Sequence, residues 1–165
     1  MGLRLDAEAF DRVVSRYGLQ VLRTARLIVR DEALAEDVVQ ETFLKAWRHF
    51  DSLRDQDPAG WLNRIAVNES ISLWRRRHRF DALLERFGRQ PPQEQEAGSE
   101  TKLDLRRALD RLTAEQRAVI VLRYYQDLSV EETAQALAIP IDTAKSRLKA
   151  GLRRLRELTQ AAGDL

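Results

Sequence analysis

The chain has 165 residues, 44% of them hydrophobic and 33% charged, a balance that fits a soluble folded protein and excludes a disordered one. With no cysteine and only two histidines, His49 and His78, it excludes disulfides, thiolate metal sites and a cysteine nucleophile, and neither a metal nor another cofactor is expected. The net charge of +2 sums 28 basic residues, 24 of them arginine, against 26 acids, so the useful information lies in where each sign falls.

The N-terminus, Met1-Gly2-Leu3-Arg4-Leu5-Asp6, carries no long apolar run. Neither a secretory signal nor membrane insertion is expected, and the chain should be cytoplasmic. Asp6 can cap a first helix with apolar Phe10, Val13, Val14, Tyr17 and Val21. Asp31 can cap a second, with Leu34, Val38, Val39, Phe43, Ala46, Trp47 and Phe50 at three- and four-residue spacing. Five acids and no base fall between Asp31 and Glu41. Asp57-Pro58 reads as an N-cap followed by proline at the first helical position. It opens a helix carrying Trp61, Leu62, Ile65, Ala66, Ile71, Leu73 and Trp74. From Ile71 to Arg89, six arginines oppose two acids.

The stretch from Gly88 to Glu100 then holds two prolines, two glycines and no large apolar residue, which reads as a linker. A long surface loop inside one domain is the alternative, uncommon at that length. Beyond it, Thr113-Ala114-Glu115-Gln116 and Ser129-Val130-Glu131-Glu132 both fit the capping-box spacing. The second box starts a short helix with Thr133, Ala134 and Leu137. Ala138-Ile139-Pro140 interrupts it, and Asp142 or Thr143 starts a longer basic helix. Strand signals are nearly absent. The expected fold is all-α: two small helical domains, 1–82 and 104–165, joined by a flexible linker at 83–103, the second a helix-turn-helix.

In the last helix, Leu148, Leu152 and Leu155, with Ala144 one turn earlier, are expected to pack inward. Lys145, Lys149 and Arg153 share another face at i, i+4 and i+8. The start of such a helix meets base edges in a major groove, which points to Thr143, Lys145, Ser146 and Lys149, with Arg147 and Arg153 toward phosphates. A merely solvated basic face is the alternative. The run Arg75-Arg76-Arg77-His78-Arg79 holds more charge than a helix dipole needs, and a polyanion would relieve the repulsion. Trp74 beside it suits an unstacked base. The acidic helix around Asp37, Gln40 and Glu41 is either a solvated face or a surface for an arginine-bearing protein. No GxxxxGK[ST], GxGxxG or HExxH appears, so an enzyme and a small-molecule substrate have little support.

These pieces together resemble a known family. Residues 35–47, Ala-Glu-Asp-Val-Val-Gln-Glu-Thr-Phe-Leu-Lys-Ala-Trp, resemble the most recognisable segment of bacterial sigma factors. Residues 61–68, followed by the arginine run, resemble their promoter-melting segment. Residues 112–119 and 143–148 resemble their C-terminal helix-turn-helix. Two modules in this order are similar to the extracytoplasmic-function (ECF) sigma factors of the sigma-70 family. The resemblance implies binding to core RNA polymerase, through the coiled coil of its largest subunit and through its flap, and to promoter DNA. It implies polymerase contacts by Asp37, Gln40, Glu41, Phe43 and Trp47. It implies that Asn68, Trp74, Arg75, Arg76, Arg77 and Arg79 hold a melted −10 strand. Thr143, Lys145, Ser146, Arg147, Lys149 and Arg153 would read the −35 duplex, and an anti-sigma partner is implied. Two positions depart from the family pattern: Ser72, where Asp is frequent, and Ala150-Gly151-Leu152, where an Arg-Ala-Arg type of run is frequent; Gly151 there either permits a close backbone approach or is merely tolerated. The competing reading is a helix-turn-helix regulator that acts without polymerase.

Overall fold

The computed structural model describes residues 2–53, 57–86 and 107–163. Most of the expected linker falls outside them. Among the described residues the regular structure is helical throughout, in agreement with an all-α chain. Backbone contacts divide the chain into two compact units, Met1–Leu73 and Trp74–Leu165.

The first unit begins with α1 (Gly2–Val29) and α2 (Glu32–Arg48). Asp6 lies inside α1 rather than at its cap. Leu3, Arg4 and Leu5 are good helix formers, and they extend the helix past the expected start. The turn to α2 takes two residues. Arg30 adopts a left-handed conformation (φ 60°), which ends α1. Asp31 then caps α2 by accepting from the Leu34 amide at 2.8 Å. So short a connection makes the two helices antiparallel neighbours. They close on Val21, Ala25, Ile28, Ala35, Val38 and Ala46, all buried. At the open end of this pair, Phe10 meets Phe43, Trp47 and Phe50 edge-on, with ring centroids 6.2, 5.0 and 5.2 Å away. A short 3-10 turn (Phe50–Leu53) follows. Asp57 then caps α3 (Pro58–Arg86), whose residues from Trp74 onward belong to the second unit, and accepts from the amides of Ala59 and Gly60 at 3.1 and 3.0 Å. Leu62, Ala66, Val67 and Ile71 of α3 are buried.

In the second unit both capping boxes form. Thr113 Oγ1 accepts from the Gln116 amide at 3.2 Å, and Gln116 Oε1 accepts from the Thr113 amide at 3.1 Å. These start α4 (Ala114–Ile120), which runs into a π-helical stretch at Val121–Tyr125. Ser129 and Glu132 make the same reciprocal pair, at 3.1 and 2.7 Å, and start α5 (Val130–Leu137). Ala138 in the left-handed region (φ 52°) ends α5. The amides of Ala138 and Ile139 donate to the carbonyls of Gln135 and Ala134. α6 (Ile141–Gly163) starts directly after Pro140, one residue ahead of the expected start. This is a helix-turn-helix with a three-residue turn.

The inward face of α6 differs from the expected leucine stripe. Ala144 is buried as expected, and so is Gly151, whereas Leu148, Leu152 and Leu155 are only half-buried. The reason is distance. A Cβ placed on Gly151 would lie 2.9 Å from Ile120 Cδ1, so α6 approaches α4 too closely for a leucine to stand between them. The glycine that departs from the family pattern is therefore a packing residue.

Arg117 is the other surprise. It is 1% exposed. Its Nη1 donates to the carbonyls of Leu112 at 2.7 Å and Leu109 at 3.1 Å. Its guanidinium also lies 5.3 Å from the centre of the Trp74 ring. A charge is tolerated there because carbonyl dipoles and an aromatic face replace water.

Candidate polymerase and nucleic-acid interfaces

α2 presents one continuous outward face. Asp37, Gln40, Leu44 and Trp47 recur at i, i+3, i+7 and i+10, and all four are exposed. Glu41 flanks this row, half-buried. Leu44 and Trp47 are 49% and 41% exposed, large for apolar side chains on a packed helix. Phe43 lies behind the face, buried and edge-on to Phe10. From there it supports the face from behind. Leu44 was absent from the residues expected to meet polymerase. Its signal was legible: it falls out of phase with the buried row Ala35, Val38, Thr42 and Ala46.

On α3, Asn68 is exposed, next to buried Glu69 and Ser70. Glu69 pairs with Lys45 of α2, and the Ser70 hydroxyl donates to the Ala66 carbonyl at 2.7 Å. Farther along, Trp74 stacks on His78 with centroids 3.6 Å apart. Arg75, Arg76, Arg77 and Arg79 are all exposed. Two of them have acidic partners. Arg75 donates to Glu115 Oε1 at 2.7 Å from its Nε, and Arg77 Nε lies 3.3 Å from Asp81. Burial pushes the Glu115 carboxyl up, but a backbone amide and Arg75 outweigh it and hold the group below the usual carboxylate range. The repulsion expected within the arginine run is thus partly offset by the chain's own acids.

On α6, Lys145, Ser146, Lys149 and Arg153 are exposed, while Thr143 and Arg147 are half-buried. The Ser146 hydroxyl donates to the Thr143 carbonyl at 3.0 Å, which orients it within the first turn. Lys145, Lys149, Arg153 and Arg156 border a shallow groove floored by Leu148 and Leu152. Farther along, Glu157 pairs with Arg153 at 4.0 Å and with Arg154 at 3.4 Å. Among the described residues, no three His, Asp or Glu side chains converge as a metal site, and no helix is long and apolar enough to cross a membrane.

Residues 13–80 match the model for Sigma-70 region 2, and residues 108–157 match that for Sigma-70 region 4. The chain is 36% identical over 156 residues to the ECF RNA polymerase sigma factor SigM of Mycobacterium tuberculosis, covering 93% of this chain and 78% of that protein. It is 33% identical over 156 residues to SigE of Mycolicibacterium smegmatis, covering 90% of this chain but only 61% of that longer relative. Among solved structures, the sigma factor RpoE bound to the anti-sigma factor NepR, from Bartonella quintana, matches with a TM-score of 0.73 at 29% identity, covering 93% of this chain and 98% of that one. CnrH in complex with the cytosolic domain of CnrY matches with a TM-score of 0.62 at 28% identity, covering 94% of this chain and 90% of that one. Two family matches in order, with relatives above 30% identity across almost the whole chain, place it plainly: the chain belongs to the sigma-70 family, as a sigma factor of the ECF class, whose members direct promoter-specific transcription.

Proposed function

We propose that this chain docks on core RNA polymerase through α2 and brings it to promoters that it reads at two elements. The docking face is Asp37, Gln40, Glu41, Leu44 and Trp47, with Phe43 holding it from behind. Leu44 and Trp47 supply apolar area, and the acids select an arginine-bearing partner surface. Residues 1–82 act as the polymerase and −10 module, 83–103 as the linker, and 104–165 as the −35 module. Asn68 and Trp74 receive bases of the melted −10 strand, and Arg75, Arg76, Arg77 and Arg79 hold its phosphates. Lys145, Ser146 and Lys149 meet base edges in the −35 duplex, with Thr143, Arg147 and Arg153 set toward its backbone. The chain works in the cytoplasm, turns over no substrate of its own, and is held in check by an anti-sigma partner. The RpoE structure, in complex with the anti-sigma factor NepR, supports that last point by likeness.

One observation carries this reading. A helix-turn-helix that acts alone has no need of an exposed acidic and apolar face on a separate helix, and α2 has one. The test is transcription by core polymerase plus this chain on a promoter library. Promoter-specific transcripts that disappear with Leu44→Asp are expected. Tight duplex binding by the free chain, with no transcript in the presence of polymerase, would overturn the reading in favour of a stand-alone regulator.

A further inference from the structure

The ion pair between Lys45 and Glu69 belongs to neither proposed interface. Lys45 follows Leu44, on the proposed polymerase face. Glu69 follows Asn68, proposed to receive a base. The pair therefore joins the two working helices at residues adjacent to both working surfaces. Its two ends are unequal. The Glu69 side chain is 12% exposed and that of Lys45 is 42% exposed. A carboxylate so withdrawn from water has lost much of its hydration, and an apolar pair of similar volume generally stabilises such a junction at least as well. What an ion pair adds is direction. Successive residues of an α-helix project about 100° apart, so fixing Glu69 fixes where Asn68 points. Ser70, tied to the Ala66 carbonyl, holds only its own helix and cannot set that rotation relative to α2.

We propose that Lys45 and Glu69 form a positioning pair, which sets the rotation of α3 on α2 so that Asn68 meets the melted strand while α2 is docked on polymerase. The proposal rests on the reading of Asn68 given above. It predicts a separation of function. Binding to core polymerase uses the outer face of α2 and should not need the pair. Capture of the −10 strand should need it.

The test uses holoenzyme reconstituted with full-length variants. Core affinity is measured by competition against the unaltered chain. Promoter opening is read from the fluorescence of 2-aminopurine placed in the non-template −10 strand. Glu69→Gln and Lys45→Met should each lower the open fraction about five- to thirty-fold, which corresponds to a loss of about 1–2 kcal/mol of positioning, with core affinity held within about twofold. The double reversal Lys45→Glu with Glu69→Lys should recover most of it. Lys45→Met with Glu69→Leu guards against misfolding: the chain should unfold at the same or higher urea concentration yet still open promoters poorly.

Unchanged opening in the single variants would overturn the proposal. So would an apolar double variant that opens promoters normally, since the pair would then be structural alone. So would a parallel loss of core binding and opening in variants that are folded at the assay temperature. Asn68→Ala separates the two readings. If it leaves opening intact, the assignment of Asn68 fails. If it impairs opening while the pair variants do not, only the positioning role fails.

Discussion

Gly151→Ala tests the close approach of α6 to α4 in the second unit. Two effects oppose each other. In a helix interior, alanine is favoured over glycine by about 1 kcal/mol. Against this, the new methyl would lie 2.9 Å from Ile120 Cδ1 and 3.4 Å from Gln116 Cβ. The first distance is roughly 0.6–1.1 Å inside the comfortable carbon–carbon range of about 3.5–4.0 Å. The neighbours have little room to yield. Ile120 is 9% exposed, and the Gln116 side chain is held by its bond to the Thr113 amide. Overpacking of this kind costs about 1–3 kcal/mol, so the overlap prevails and a net loss of about 1 kcal/mol is expected.

A double-mutant cycle isolates the cause. Ile120→Val deletes the Cδ1 methyl and by itself should cost about 0.5–1.5 kcal/mol. In that background Gly151→Ala should turn neutral or stabilising, which corresponds to a coupling of about 1–2 kcal/mol. Urea unfolding followed by circular dichroism gives the four stabilities, and hydrogen exchange of α4 and α6 assigns them to this unit. A Gly151→Ala chain stabilised by about 1 kcal/mol, with coupling below about 0.3 kcal/mol, would refute the close-packing argument.

Four further outcomes follow. Ala138→Gly, at φ 52°, should stabilise the turn by up to about 1 kcal/mol in urea unfolding, whereas glycine at exposed Gln135 inside α5 should cost about that much. The carboxyls of Glu115 and Glu132 both lie below their ordinary range in the folded chain, Glu132 through the Ser129 amide and hydroxyl. Their contribution should therefore be full at neutral pH and fade as pH falls through the depressed values, and Glu115→Gln with Glu132→Gln should flatten the acid limb of the urea midpoint against pH. Lys149→Ala should change −35 selectivity in a promoter library while a pull-down of core polymerase is unchanged. Replacing Arg75, Arg76 and Arg77 by alanine should reduce opening and lower its salt slope by about 0.7 for each phosphate that is no longer neutralised, and an unchanged slope would exclude phosphate binding there.

How much of this was legible depended on the range of the interaction. The caps at Asp31, Thr113 and Ser129 were readable because donor and acceptor lie three residues apart, and a local pattern decides them. The helix-turn-helix was readable for the same reason: a capping box, Pro140 and a basic helix follow one another along the chain. Gly151 was readable only as two alternatives, a close backbone approach or a tolerated glycine, because the choice depends on how near α4 comes, and nothing within α6 records that distance. Arg117 was not readable. In sequence it is one more cation on an amphipathic helix, and its acceptors are the Leu109 and Leu112 carbonyls, which belong to the preceding segment. The phase of the α6 leucines failed for a related reason. Periodicity identifies an apolar stripe, but the partner helix decides which edge of it is covered.

The ion pairs bear on how a surface carrying four arginines in five positions stays folded without DNA. Arg75 with Glu115, Arg77 with Asp81, and Arg153 and Arg154 with Glu157 are all pairs in which the arginine is more than 40% exposed. Such pairs contribute about 0–1 kcal/mol each. That is enough to relieve repulsion between neighbouring cations. It is also small enough to be exchanged for a phosphate, since polyanion binding adds the entropy of released counterions. Glu115, mostly buried and taking two donors of Arg75, holds its arginine more firmly than the other acids do, and neutral residues would leave the run to repel itself. On the proposed function, the near-zero net charge follows from acids that stand as replaceable partners beside the cations assigned to DNA. The prediction that separates this from chance pairing is Asp81→Asn. It should raise the affinity of the free chain for a −10 single strand about two- to five-fold at low salt, as expected for the loss of one weak competing pair. The gain should vanish in the Arg77→Ala background. A gain that persists there would show that Asp81 acts through the overall field and not through its pair.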